Sequence, residues 1–365
     1  MFPAFGWLAI AADAPDVTIT GMASTEEGGQ TQLCPNCGSR VDTNGQGPFA
    51  NVVCSQCGMA VHFERIFEHY IIIEPLGSGG MGSVYKARDT RLNRFVAIKL
   101  LREEFADKID YSTQLQHEAR ITASINHPHV VKVFGLSRDH GQHYLVMEFV
   151  QAGSLDDRMQ NDTRISELQT LEIGLQVASG LQAAHQAGLI HRDVKPGNIL
   201  FADGHTAKIV DFGLALLAEQ KAETKGEIWG TPYYVAPERL NNEREDFRSD
   251  IYSLGATLFH AIAGRPTFED QTQLAGELKK LKTKTVPLRE VAPHVSAETA
   301  RIIKRMLQVN PADRYRSYDE LIGQLRAAQA AAGRAKGRLR GKSGFFKRLF
   351  APIAGAVFGD AKNAP

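Results

Sequence analysis

Between positions 191 and 213 the chain reads His191-Arg192-Asp193-Val194-Lys195-Pro196-Gly197-Asn198 and then Asp211-Phe212-Gly213, and no other feature restricts its fold so sharply. The pattern needs a scaffold that brings two short polar turns together. An Asp that can orient a hydroxyl (Asp193), a Lys that can neutralise a migrating phosphoryl group (Lys195), and two hard oxygen ligands for Mg²⁺ or Mn²⁺ (Asn198, Asp211) are the groups that phosphoryl transfer requires. Such chemistry depends on positioning and charge stabilisation more than on basicity, so Asp193 need only accept a hydrogen bond.

Upstream, Gly77-Ser78-Gly79-Gly80-Met81-Gly82-Ser83-Val84 lies between two strand-like runs. A dinucleotide-binding turn uses the same glycines but leads into a helix, whereas this one leads into Val84-Tyr-Lys-Ala, another strand. Lys99 closes the apolar run Val96-Ala-Ile-Lys99, where a buried ammonium needs an anionic partner. A helix is predicted over about Ser112–Ile125; it places Leu115, Ala119, Thr122 and Ile125 on one face with Glu118 adjoining. Thr122 is more polar than that inward position calls for.

On these motifs the chain resembles the eukaryotic-type protein kinase family, in its Ser/Thr branch and in the soluble form found in bacteria, from roughly Tyr70 to Ala328. The resemblance implies an α+β fold of two lobes, a small β-rich one over 70–150 and a larger helical one over 151–328. It implies ATP with a divalent ion as phosphate donor and protein Ser/Thr hydroxyls as acceptors. Gly77, Ser78, Gly79, Gly80, Met81 and Gly82 would cover the phosphates, and Lys99 would meet both the phosphates and Glu118. Val84 and Ala97 would lie above the adenine and Leu200 below it, with Glu148 and Val150 at the hinge and Met147 guarding the space behind. Lys195 and Gly230-Thr231-Pro232 point to an aliphatic hydroxyl acceptor. Glu238 would pair with Arg314, and Asp250 would anchor the catalytic loop. A binding-only relative of this family usually lacks Lys99, Asp193 or Asp211, and all three are present. Arg192 beside Asp193 calls for a counter-anion, which predicts an autophosphorylated Thr224.

All four cysteines lie in one N-terminal stretch, as Cys34-Pro-Asn-Cys37-Gly38 and Cys54-Ser-Gln-Cys57-Gly58. The spacing predicts a zinc ribbon over 31–60, with four thiolates in a closed, structural Zn²⁺ shell; two disulfides are the alternative, disfavoured in a reducing cytoplasm. Residues 1–30 read as a flexible leader and 61–69 as a linker. The ribbon carries Arg40 alone as a basic side chain, and the whole chain has a formal net charge of +1, so no nucleic-acid partner is expected and a protein contact suits the ribbon better. In the tail, 329–365, seven basic residues and no acidic ones run from Arg334 to Arg348, ahead of an apolar stretch. This reads as a solvated tail or as a peripheral contact with an anionic membrane surface. Neither a basic secretory leader nor a run of about 18 apolar residues is present, so a cytoplasmic protein is expected.

Overall fold

The computed structural model describes residues 31–42, 51–62, 66–79, 82–101, 109–139, 142–162, 164–212, 232–241, 243–268 and 275–349, with the side chains of 62, 109–115, 275 and 335–349 excepted. Gly80, Met81, Thr224 and Thr231 lie outside these residues. The N-terminal part is built from two matching hairpins, β1 (Thr31–Leu33) with β2 (Arg40–Asp42) and β3 (Asn51–Val53) with β4 (Ala60–His62). Each turns through a left-handed glycine, Gly38 at φ 71° and Gly58 at φ 72°, a conformation that a Cβ would strain. β4 carries the second hairpin to His62, past the expected ribbon end at residue 60.

The β-branched runs that follow form a six-stranded antiparallel sheet in the order β5-β6-β7-β8-β10-β9. These are β5 (Ile66–Phe67), β6 (Tyr70–Gly79), β7 (Gly82–Asp89), β8 (Arg94–Leu101), β9 (Val133–Asp139) and β10 (Gln142–Glu148). β5 falls in the stretch read as linker. It joins the sheet because Phe67 buries its ring fully against Tyr144, with centroids 5.1 Å apart. The glycine turn closes the β6–β7 hairpin. Gly82 has φ 154°, and a Cβ there would sit 1.8 Å from the Leu100 carbonyl oxygen, so no other residue fits without moving β8.

Helix α1 (Ile109–Ser124) packs on this sheet, and Thr122 loses its oddity there. Its hydroxyl donates to the Glu118 carbonyl at 2.8 Å, the local bond by which a buried Thr satisfies itself within a helix. Val130 and Val131 belong to no strand. Val130 bridges Ile209 and the Val131 amide donates to the Ile209 carbonyl at 2.9 Å, so this apolar pair fastens the sheet to the helical lobe.

Short α2 (Leu155–Asn161) opens that lobe behind a capping box made by Ser154 and Asp157. The long α3 (Glu167–Gln186) and α5 (Phe247–Ala263) form its core, and α5 is buried on nearly every face. Gly255 of α5 lets α8 (Ala297–Met306) come close, since a Cβ would lie 2.6 Å from that of Met306. Shorter α4 (Pro237–Leu240), α6 (Ala275–Lys282) and α7 (Leu288–Val291) surround α5, and a small hairpin of β11 (Ile199–Phe201) and β12 (Ala207–Ile209) lies between the two polar turns. The last helix, α9, runs Tyr318–Leu349. It continues well past Ala328, where the helical lobe was expected to end, because the Ala-rich stretch after Leu325 has high helix propensity. Among the described residues no helix is long and apolar enough to cross a membrane.

One buried ion pair ties these helices together. Arg314, 1% exposed, meets both carboxylate oxygens of Glu238 at 2.7 Å and also donates to the carbonyls of Gln308, Val309 and Arg248. Burial alone would push the Glu238 carboxyl up; Arg314 and the Ser249 hydroxyl outweigh it and hold the carboxyl below its ordinary 4.5. This carboxylate therefore contributes stability that is present above pH 4.5 and is lost as pH falls below it. Arg314→Met is expected to lower unfolding stability by about 3–5 kcal/mol in chemical denaturation at neutral pH, since it strands a buried carboxylate.

Candidate active site

The polar turns meet below the sheet, and buried side chains fix their backbone. The loop 191–198 hangs from Asp250 in the first turn of α5, whose carboxylate accepts the amides of His191 and Arg192 at 2.8 Å each. Burial pushes that carboxyl up, against the opposing pull of His191 and the two amides. His191, fully buried, links the two polar turns. Its Nε2 donates to the Val210 carbonyl at 2.9 Å and its Nδ1 accepts the Asp193 amide at 3.1 Å, while its ring lies against Phe212. Arg192 and Asp211 both sit at φ 68°, a left-handed conformation that costs a non-glycine residue about 1–3 kcal/mol when the surroundings must enforce it.

The functional side chains converge on this frame. Asp193 Oδ2 accepts from Lys195 Nζ at 2.7 Å and from Asn198 Nδ2 at 2.9 Å. Among the described residues Asp193 Oδ1 has no hydrogen bond and is left to an incoming donor. Asn198 spends its amide nitrogen on Asp193, donating to the backbone carbonyl as well at 2.8 Å, which leaves its oxygen available to a cation. Across from them Lys99 Nζ lies 2.8 Å from Asp211 Oδ2. Burial would raise the Asp211 carboxyl, but Lys99, then Lys195 and His191, hold it below the ordinary carboxylate range. The sequence assigned Asp211 to a metal ion; the structure makes it the ammonium's partner too. Glu118 is buried on α1 at 6% exposure and is not among the residues that line the cleft.

That cleft has a volume of about 250 Å³ and is lined by Gly77, Ser78, Gly79, Gly82, Val84, Ala97, Lys99, Met147, Glu148, Val150 and Leu200, together with Asp193, Lys195, Asn198 and Asp211. Every described residue expected to hold a nucleotide is therefore on one wall or another. Leu200 and Ala97 are 3% exposed and face the same apolar cluster as Met147 and Val150. Glu148 is held by Lys208 at 2.9 Å and its amide donates to the Lys132 carbonyl at 2.8 Å. Ser154, Asp156, Gly197 and Val210 also line the cleft and were not foreseen. Asp156 follows the left-handed Gly153 at the start of α2, so the Gly-Ser-x-Asp turn was the signal that could have found it.

Glu245, outside the cleft lining, was not foreseen either. Its carboxylate lies 3.3 Å from Arg192 Nε, and Arg239 donates to the Arg192 carbonyl. Burial pushes the Glu245 carboxyl up, and Arg239 and Arg192 oppose it. The counter-anion that Arg192 calls for is present in the chain itself, on a segment with no motif to mark it.

In the ribbon all four cysteine sulfurs lie within 4.8 Å of one another, with Cys34–Cys57 at 3.5 Å and Cys37–Cys54 at 3.6 Å. A disulfide would bring two sulfurs to about 2.05 Å, so these are four separate thiols. Four Zn–S bonds of about 2.3 Å in a tetrahedron place sulfurs about 3.8 Å apart, and the cluster fits that shell.

Proteins of known type are similar to this chain over most of its length. A probable serine/threonine-protein kinase of Clostridium perfringens is 33% identical over 258 residues, 70% of this chain and 38% of that protein. The serine/threonine-protein kinase PknA of Mycobacterium tuberculosis is 37% identical over 261 residues, 70% of this chain and 60% of PknA. This chain thus spans less than two thirds of the length of these curated relatives. The crystal structure of the Mycobacterium tuberculosis PknI kinase domain superposes with a TM-score of 0.59 at 26% identity, covering 74% of this chain and all of that domain. Residues 70–324 match the protein kinase domain model, and with the cleft and its two polar turns in place this chain belongs to the protein kinase domain family.

Proposed function

We propose that this chain is an ATP-dependent serine/threonine protein kinase. The observation that carries this reading is the convergence of Asp193, Lys195, Asn198, Asp211 and Lys99 on one cleft under the glycine hairpin. Asp193 orients the acceptor hydroxyl through Oδ1, and Lys195 lies where negative charge grows as the phosphoryl group moves. Lys99 holds the nucleotide phosphates, with Glu118 behind it on α1. Asn198 and Asp211 would hold Mg²⁺ or Mn²⁺, which supplies charge neutralisation to the phosphates. Ala97, Val84 and Leu200 offer the apolar walls that a purine ring needs, and the backbone at Glu148 and Val150 offers its edge. Thr231, assigned to acceptor choice, lies outside the described residues. Asp193→Asn is expected to reduce phosphate transfer to a generic basic protein by about 10²–10⁴-fold without unfolding the chain; equal incorporation by both forms refutes the mechanism.

Autophosphorylation at Thr224, also outside the described residues, belongs to the same reading. Since Glu245 already partners Arg192, a phosphate there adds to or displaces a resident carboxylate instead of filling an empty position. Mass spectrometry of the chain incubated with MgATP is expected to find phosphate on Thr224. A fully active enzyme with Thr224 unmodified would sink this assignment.

The ribbon is proposed to hold structural Zn²⁺ through Cys34, Cys37, Cys54 and Cys57 and to serve as a protein contact. Two hairpins of three-residue strands bury too little to fold unaided, and metal binding supplies the difference. Elemental analysis is expected to find one zinc per chain, lost in Cys54→Ser together with amide-exchange protection of the hairpins. Protection that survives full removal of zinc contradicts the structural role. Arg334 apart, which is exposed, the basic and apolar side chains proposed to touch a membrane surface lie outside those described, and that reading rests on the sequence alone.

A further inference from the structure

Lys282, the last residue of α6, is an ammonium in an apolar place. It is 1% exposed, and its end of α6 adjoins the cluster of Val235, Leu240, Phe268 and Leu278. Its Nζ lies over the rings of Tyr252 at 5.2 Å and Phe268 at 5.1 Å. Arg314 shares the Tyr252 ring at 5.0 Å. Burial pushes Lys282 down to about 7, with Glu238 opposing that shift and Arg314 adding to it. A cation kept under such conditions has to be matched by what it holds.

What it holds is backbone. Lys282 Nζ donates to the Pro232 carbonyl at 3.0 Å and reaches the Tyr233 carbonyl at 3.5 Å. These two carbonyls follow directly on Thr231, in the segment assigned to the acceptor hydroxyl. The same segment is joined to the catalytic loop, because α4 begins at Pro237 and its Arg239 donates to the Arg192 carbonyl. Tyr234 is fixed from the other side by a 2.7 Å hydrogen bond with His260, and Tyr233 packs on Phe268 with centroids 5.3 Å apart. Side-chain packing thus sets where the segment lies, whereas Lys282 sets which way its first two carbonyls point.

We propose that Lys282 is a positioning residue for the protein substrate: from the buried end of α6 it orients the 232–233 backbone against which the acceptor segment docks. The proposal rests on the kinase reading and goes beyond it, since nothing in the phosphate-handling set requires this residue. It acts through the backbone of 232–233 and touches neither nucleotide nor reacting atoms.

Lys282→Met separates this role from a structural one. Methionine approximates the length and the contact with the two rings while removing the charge and the donors, and relief of the buried ammonium's desolvation offsets the loss of its bonds to the two carbonyls. The full chain carrying Lys282→Met is expected to keep its thermal midpoint, to raise KM for a generic basic protein substrate by about five- to tenfold, and to leave KM for ATP within about twofold, as expected for loss of one charge-assisted hydrogen bond. Amide exchange in the peptide spanning 233–235 should quicken in the variant. An unchanged protein KM overturns the proposal, as does a fall in thermal midpoint with both KM values rising together, which would make Lys282 a structural residue. If the wild-type chain transfers no phosphate, the kinase reading fails instead, and the exchange measurement still judges what Lys282 holds: unaltered protection over 233–235 refutes it.

Discussion

The buried carboxylate of Asp250 is the constraint on which the rest of the site depends. By taking the amides of His191 and Arg192 it converts a polar loop into a fixed object, and it does so from the first turn of a helix that is itself core on nearly every side. A buried anion is costly unless its lone pairs are filled, and here they are filled by two backbone donors that a flexible loop would otherwise leave to water. Arg192 can then be held in a left-handed conformation, its amide taken by Asp250, its carbonyl by Arg239 and its guanidinium by Glu245. Strain is tolerable there because three independent contacts determine the residue.

From that loop the order spreads in two directions. His191 passes it to the 210–212 turn through Nε2, while its Nδ1 holds Asp193 in the same loop, and the Val131–Ile209 backbone contacts pass it across to the sheet. The Glu238–Arg314 pair passes it downward, drawing α4, α5 and the 308–314 loop around one guanidinium. Arg314 and Lys282 then share the face of Tyr252, so two buried cations and one carboxylate lie within a few side chains of Pro232 and Tyr233. Such clustering is affordable only because most of their donors meet carbonyl oxygens.

Much of this was legible in the sequence, for a physical reason. Phosphoryl chemistry needs fixed residue types at fixed short intervals, so Asp193, Lys195, Asn198 and Asp211 announce themselves, and so do Cys34, Cys37, Cys54 and Cys57 with their two glycines. The helix expected over about Ser112–Ile125 runs Ile109–Ser124. What stayed hidden depends on contacts between distant segments. Glu245 and Lys282 carry no local motif, and each becomes informative only once folding sets it beside Arg192 or Pro232. Thr122 looked out of place because its bond is to its own helix, which periodicity does not register. The boundaries failed where a neighbour decided them: Phe67 enters the sheet, out of the stretch read as linker, because Tyr144 offers a surface.

The pairing of charges across the cleft bears on how any polyanion binds there. Lys99 is matched to Asp211 and Lys195 to Asp193, so the two cations that would meet phosphate are already satisfied at short range. An arriving phosphate does not find bare positive charge. It has to exchange partners with a resident carboxylate, and the carboxylate so released must itself find a cation. Binding strength at this cleft is thus a difference between two sets of ion pairs, and Asp211, once released by Lys99, would be free to hold a divalent ion that neutralises the phosphates.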